Sequence, residues 1–272
     1  MIPAWTLLTP ESLRALVGAA GRVPDAIHLA ATVSPSELSG VPMVAAAHLV
    51  IERALAQDGL TLTARGFVSR ADTSALFEAL DWPDYPKGSV RAVNKVLNET
   101  DVLPVHLTRV LTQGAGLLRR HKGRLIATKR AAELLNPDHA TALFRALFEA
   151  AFWRVNLSYF DAVPLPYWPQ THVGVVLWCL SVSAHQWMRP EALVASCTIP
   201  DDSRHNDPNV PTFALVARVL RPLMWFGLLE TRTEAEPRGA GLGWSRCCRK
   251  LPLFDRVLSF RVALNTTAGV SH

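Results

Sequence analysis

The sequence predicts a mainly α-helical chain with short β-hairpins, arranged as tandem winged helix-turn-helix modules. Three observations carry this expectation. Apolar residues recur at helical spacing along most of the chain. Two hairpin signals occur, one over residues 117–127 and one over residues 228–249. In each half, the hairpin comes after a series of helices. Composition allows such a fold: 49% of the 272 residues are hydrophobic and 19% charged. That is enough to bury a sizeable core, and it excludes disordered, coiled-coil and fibrous classes. The length suits one large domain or two ordinary ones.

Residues 1–40 read as a helical lead-in. Pro10-Glu11-Ser12 starts a helix carrying Leu13, Leu16 and Val17, and Pro24 bounds it. A loop follows at Ser34-Pro35-Ser36-Glu37 and Gly40. The first module spans 41–160. Val41 to Gln57 is a helix with Val44, His48, Ile51 and Leu55 on one face, and Ala45, Ala46 and Ala47 permit close packing. Leu60 to Thr63 alternates as a short strand, and Arg65-Gly66 turns the chain. Ser69 or Asp72 caps a helix through Leu80. Trp82 to Pro86 is a stiff loop, and helices follow over 89–98 and from Asp101 to about Ala115. Leu117 to Arg120 and Arg124 to Ala127 are strands joined by His121-Lys122-Gly123, where Gly123 can take a positive φ. Thr128 caps a short helix stopped by Asn136-Pro137. A long helix runs from Ala140 to Trp153, with Leu143, Leu147 and Ala151 on one face and Phe144, Phe148 and Phe152 beside them.

Asp161 to Pro169 holds three prolines and reads as a linker. The second module, 170–264, repeats the order loosely. Helices are expected at Gln170 to His185, at Arg189 to Cys197 and from Pro211 to Trp225, with Pro211 in a tolerant first-turn position. Leu228 to Arg232 and Trp244 to Arg249 form the second hairpin, with 233–243 as its loop. Leu228-Leu229 corresponds to Leu117-Leu118. Residues 265–272 read as a flexible tail.

Motifs carry less than architecture. The four cysteines make no disulfide framework and no Cys-x-x-Cys pair, so the chain reads as reduced and cytoplasmic, without a structural zinc. Met1 to Thr9 lacks the basic flank of a signal peptide. His172 to Ala184, the most apolar stretch, is too short to span a bilayer, and no membrane partner is expected. Neither a cofactor nor a metal is expected, and no catalytic residue is nominated. The nine histidines show no metal spacing. The polar cluster at 201–207 reads as a loop, and Gly239, Gly241 and Gly243 lack the strand-to-helix context of a phosphate loop. Cys247, beside Arg246, Arg249 and Lys250, is a candidate for an acidified thiol.

Charge is the sharper signal. The formal net charge is +5, but residues 1–100 carry a net −2 and residues 101–272 a net +7. Arg119 to Arg130 holds six basic residues and no acid. Arg238 to Arg261 holds six and one acid, Asp255. Both segments fall on the expected hairpins. Such cations suit phosphate contacts, so duplex DNA is the expected partner. The candidates on the first module are Arg109, Gln113, Arg119, Arg120, Lys122, Arg124, Lys129 and Arg130. On the second they are Arg238, Arg246, Arg249 and Lys250. His106, Thr108, Arg109, Thr112 and Gln113 would face base edges from the helix before the first hairpin, although its Leu103, Val105, Leu107, Val110 and Leu111 make it greasy for a groove reader. The alternative is a protein-interaction adaptor or oligomeric scaffold. Its aromatic residues, among them Trp153, Tyr159, Trp187 and Trp225, would serve an interface, and the broad apolar stripe on 140–153 would serve a homodimer.

The Ala45 to Leu80 segment (with LTLTARGFVSRAD) and the pattern Gly116-Leu117-Leu118, Gly123-Arg124-Leu125, Thr128-Lys129 resemble bacterial proteins related to plasmid pRiA4b ORF-3. Phe67 stands where that family has an aliphatic residue, and Ala131 where a glycine is expected. The resemblance covers roughly 41–160. It implies a winged-helix-like fold for this stretch and transfers no catalytic residue.

Overall fold

Caps and first-turn prolines set most helix starts in the computed structural model, which describes residues 3–18, 21–161, 168–197, 209–233 and 246–265. In chain order the elements begin with α1 (Pro10–Val17), β1 (Ile27–Leu29), α2 (Pro35–Leu38), α3 (Pro42–Ala56) and β2 (Leu60–Thr61). They continue with α4 (Arg70–Ala79), α5 (Lys87–Val93), α6 (Leu103–Gly114), β3 (Leu118–His121) and β4 (Arg124–Ala127). Next come α7 (Lys129–Leu134), α8 (Ala140–Glu149), α9 (Val173–Ser183) and α10 (Pro190–Cys197). Last are α11 (Val210–Leu215), α12 (Arg221–Trp225), β5 (Leu229–Thr233), β6 (Arg246–Lys250), α13 (Pro252–Val257) and β7 (Leu258–Phe260). The chain is mostly helical, with small antiparallel sheets. It divides into two units, Ala31–Val155 and Met1–Ala30 with Asn156–His272.

The unit Ala31–Val155 is built around α3, which buries Met43, Val44, Ala46, Ala47, Val50, Ile51 and Ala54. β2 pairs with β4 and β4 with β3, giving the antiparallel order β2-β4-β3. Ser69 caps α4 by accepting from the Asp72 N–H. The buried Asp72 carboxylate in turn accepts from Arg53 and from the Thr61 N–H, tying α3, β2 and α4 together. The β2 strand is shorter than the alternation of 60–63 predicts, because Thr63 to Phe67 folds into a turn of its own: Thr63 N donates to Phe67 O at 2.7 Å and Gly66 N to Thr63 O at 2.8 Å. α5 also ends early. It buries no residue and is tied to α4 through Arg91, which donates to Ser74 and Glu78 and lies over the Phe77 ring.

The β3–β4 hairpin turns on Lys122 (φ 44°) and Gly123 (φ 72°). Two consecutive positive φ values match the right-handed twist of a two-residue hairpin. Thr128 caps α7 as expected, accepting from Ala131 N–H. The long helix expected over 140–153 is α8 followed by a wider π-helical turn, Ala150–Arg154, closed by Val155 N donating to Ala150 O. Its phenylalanines are covered within the chain: Phe144, Phe148 and Phe152 are all buried, with Phe148 4.6 Å from Phe152 and 5.7 Å from Phe144 between ring centroids. α2, α3, α6 and α7 pack on α8. That stripe therefore leaves no unspent surface for the homodimer it suggested.

In the other unit, the segment up to Ala30 is joined to the C-terminal part of the chain. β1 pairs antiparallel with β7, Ile27 opposite Phe260 and Leu29 opposite Leu258. α9 is apolar on all sides, and α1 and α10 pack on it. β5 and β6 form the second hairpin, with Glu230 opposite Arg249 and Thr231 opposite Cys248. Met188 joins β6 through a bridge, donating to Cys248 O and accepting from Cys248 N.

The two units share an order. In the first it runs α3, β2, α4, α6, β3, β4, with α5 as an additional helix between α4 and α6. In the second it runs α9, Met188, α10, α11–α12, β5, β6. In each, the segment after the first helix pairs with the last strand, so that strand lies in the middle. No helix is long and apolar enough to cross a membrane among the described residues. The four cysteines are free and buried. Burial, with Cys247 next in chain, pushes the Cys248 thiol up to about 12. Cys247 itself is 2% exposed, so the sequence's candidate for a reactive thiol is closed to solvent.

Candidate nucleic-acid interface

The basic run of the first hairpin separates into cations that face solvent and cations used internally. Arg119, Arg120, Lys122, Lys129 and Arg130 are exposed. Arg119 follows the buried Leu118 on β3, and Lys122 stands at the turn. Among the described residues no acid forms an ion pair with Arg119, Lys122 or Lys129. Arg120 donates to the Gly66 carbonyl at 3.2 Å, and Arg130 reaches the Ala115 carbonyl at 3.4 Å. Arg124 is different. Its guanidinium donates to Gln57 O at 2.5 Å and Gly59 O at 2.6 Å, satisfying carbonyls at the C-terminal end of α3. It pins the hairpin to that helix and is only half exposed.

Arg109 is removed from the surface, and Gln113, half-buried, is tied to it. Arg109 is 7% exposed; its Nε donates to Glu99 at 2.7 Å and its Nη1 to Gln113 Oε1 at 2.6 Å. Glu99, 1% exposed, also accepts from the Val68 N–H and contacts His106 Nδ1. Burial pushes the Glu99 carboxyl up, but His106, the Val68 N–H and Arg109 together outweigh it and hold the group below the ordinary glutamate value. The periodic polar positions of α6 thus face an internal ion cluster. Leu103 is the one exposed residue of α6; Val105, Leu107, Thr108, Arg109, Leu111 and Thr112 are buried. The expectation that His106, Thr108, Arg109, Thr112 and Gln113 meet base edges does not fit this placement, because a long side chain tied to a buried carboxylate cannot also reach a groove.

The second hairpin uses Arg232, Arg249 and Lys250 on the protein itself. Arg249 pairs with Glu230 across the ladder and lies 4.7 Å from the Trp187 ring centroid, and Arg232 lies 4.6 Å from the same ring. Lys250 donates to Ser181 O and to Asp255, each at 2.7 Å. Arg246 is exposed. It sits close enough to Arg221 that, after burial, its charge is what lowers the Arg221 pKa. Arg238, the 201–207 cluster and Gly239, Gly241 and Gly243 lie outside the described residues. Within them, no group of three or more His, Cys, Asp or Glu side chains gathers as a metal site.

One cation was missed. Arg65 is exposed in the Thr63–Phe67 turn, whose Gly66 supports Arg120. The sequence signal was the Arg-Gly pair, but only the pairing of Leu62 N with Gly123 O places that turn beside the hairpin.

This is a chain of two mostly helical units with small sheets, and the basic edge lies on the first. Residues 39–141 match the model of a protein family described as the Y4jL N-terminal domain. The uncharacterised protein y4jL of Sinorhizobium fredii (strain NBRC 101917 / NGR234) is 32% identical over 109 residues, 40% of this chain and 49% of the relative. The chain thus spans about half the length of the curated relative it matches. These matches point to uncharacterised bacterial proteins and do not connect the chain to the pRiA4b ORF-3 relatives. No solved structure matches.

Proposed function

We propose that residues 31–155 form a winged-helix module that binds nucleic acid, duplex DNA in the first instance, through the β3–β4 hairpin as its wing. The order α3, β2, α4, α6, β3, β4, with α5 inserted between α4 and α6, and the sheet order β2-β4-β3 support the winged-helix reading. The same order in the other unit supports a tandem arrangement. The observation that carries the function is the set of exposed cations on and beside the hairpin, Arg119 and Lys122 with Lys129 at the start of α7, to which no acid is paired among the described residues. Cations held out on a rigid two-stranded ribbon suit a polyanion whose charges recur along a surface.

The test is a salt titration of the full chain binding a duplex. Replacing Arg119 and Lys122 together by Ala is expected to lower the slope of log K against log salt by about two units, since each phosphate contact contributes roughly 0.9. A folded protein that binds no duplex at low salt overturns the reading and leaves the protein-adaptor alternative in its place.

A further inference from the structure

Resting on the nucleic-acid reading above, we infer that the edge formed by the 63–67 turn and the β3–β4 hairpin reads the phosphate backbone without reading base sequence, and that Arg65 belongs to its contact set. Base discrimination requires a row of exposed donors and acceptors that enters a groove. In a winged helix that row comes from the helix before the wing. Here that helix is α6, and its polar side chains are taken. Thr108 and Thr112 are fully buried and donate to carbonyls one turn back, at Pro104 and Thr108. Arg109 binds Glu99 and Gln113, and His106 contacts Glu99. The only side chain that α6 leaves in open solvent is the apolar Leu103. What remains for a ligand is charge.

That charge is organised by two turns. Leu62 N donates to Gly123 O at 2.9 Å, so the 63–67 turn is stitched to the hairpin tip. Gly66 (φ 80°) then gives Arg120 its seat: a β-carbon there would stand 2.8 Å from Arg120 Nη1. Arg120 is thus a positioning residue that joins the two turns, and Arg65, next to Gly66 and exposed, extends the cationic edge beyond the hairpin. Lys122 points the same way. It occupies a left-handed position (φ 44°) that Asn or Gly fills at lower cost.

The experiment measures anisotropy of the full chain with duplexes of one length and unrelated sequences, over a series of salt concentrations. Dissociation constants are expected to agree within about threefold, far inside the roughly 10³-fold or larger preference of a sequence reader. Arg65→Ala is expected to lower the salt slope by about one unit with unchanged circular dichroism and melting temperature, and Arg65→Lys to keep it. Sequence discrimination of a hundredfold or more overturns the backbone-only inference, and an unchanged slope in Arg65→Ala removes Arg65 from the contact set. Both leave the nucleic-acid reading standing. Absence of binding by the folded wild-type chain overturns that reading, and this inference with it.

Discussion

On the β3–β4 hairpin, Arg119 and Lys122 stand in solvent with no acid paired to them among the described residues; on the β5–β6 hairpin, Arg249 is paired with Glu230 and Lys250 with Asp255. The helices before the two hairpins behave alike. Each buries an arginine: Arg109 against Glu99, and Arg218, 1% exposed, against Asp161 with two hydrogen bonds of 2.8 Å and a third to the Trp168 carbonyl. The units thus share a hairpin preceded by a helix that buries an ion-paired arginine, and they differ in what the hairpin does with its charge. The first hairpin holds Arg119 and Lys122 open to a polyanion, whereas on the second Arg249 and Lys250 are matched by acids of their own unit.

The largest expected effect tests the shared feature. Glu99→Ala strands the Arg109 guanidinium in the interior and is expected to cost about 3–5 kcal/mol, as is Asp161→Ala through Arg218. Urea unfolding measures both. If one is nearly neutral, the two helices are not fixed in the same way. Glu99 also predicts a pH dependence. Its folded carboxyl titrates below the unfolded value of about 4.3, so the unfolded state takes up the proton first. The stability it contributes is present above that value and is lost as pH falls through the folded value. Glu99→Gln should flatten stability against pH below the unfolded glutamate value of about 4.3.

The difference between the hairpins is tested next. The double replacement of Arg119 and Lys122 by Ala should change salt-dependent binding while moving stability by less than about 0.5 kcal/mol, as exposed positions do. Arg249→Ala should do the reverse, costing about 0.5–1 kcal/mol through a partly exposed ion pair and the Trp187 contact, with no change in the salt slope. A fall in slope for Arg249→Ala would erase the contrast. The smallest effect belongs to Lys122→Asn. Asn suits the left-handed turn, so a gain of a few tenths to about 1 kcal/mol in stability should accompany a loss of about one unit in slope. Improved folding with weaker binding is the outcome that separates use of the cation from packing.

Much of the architecture was legible. The strand at Arg124–Ala127, the Thr128 cap and the Ser69 cap follow from local chemistry, because a turn glycine and a hydroxyl before a helix act within four residues of themselves. Arg119 and Lys122 were legible too, as a hairpin edge and tip are exposed wherever the hairpin packs. Arg109 was not. Its polarity suggested a groove contact, yet Glu99, ten residues earlier, takes it inward, and only the packing of α6 beside the 99–101 turn brings the two together. The same holds for Arg124, whose carbonyl partners Gln57 and Gly59 lie more than sixty residues away.

The sequence by itself determined the helical class, the two hairpins, the repeated order and the polarised charge, since periodicity, caps and composition are local properties. Tertiary structure decided that β1 closes on β7, that α8 is covered within the chain, and which cations remain outside. The physical reason is that a guanidinium's availability depends on which acids and carbonyls come within about 3 Å of it, and those distances exist only once the chain has folded.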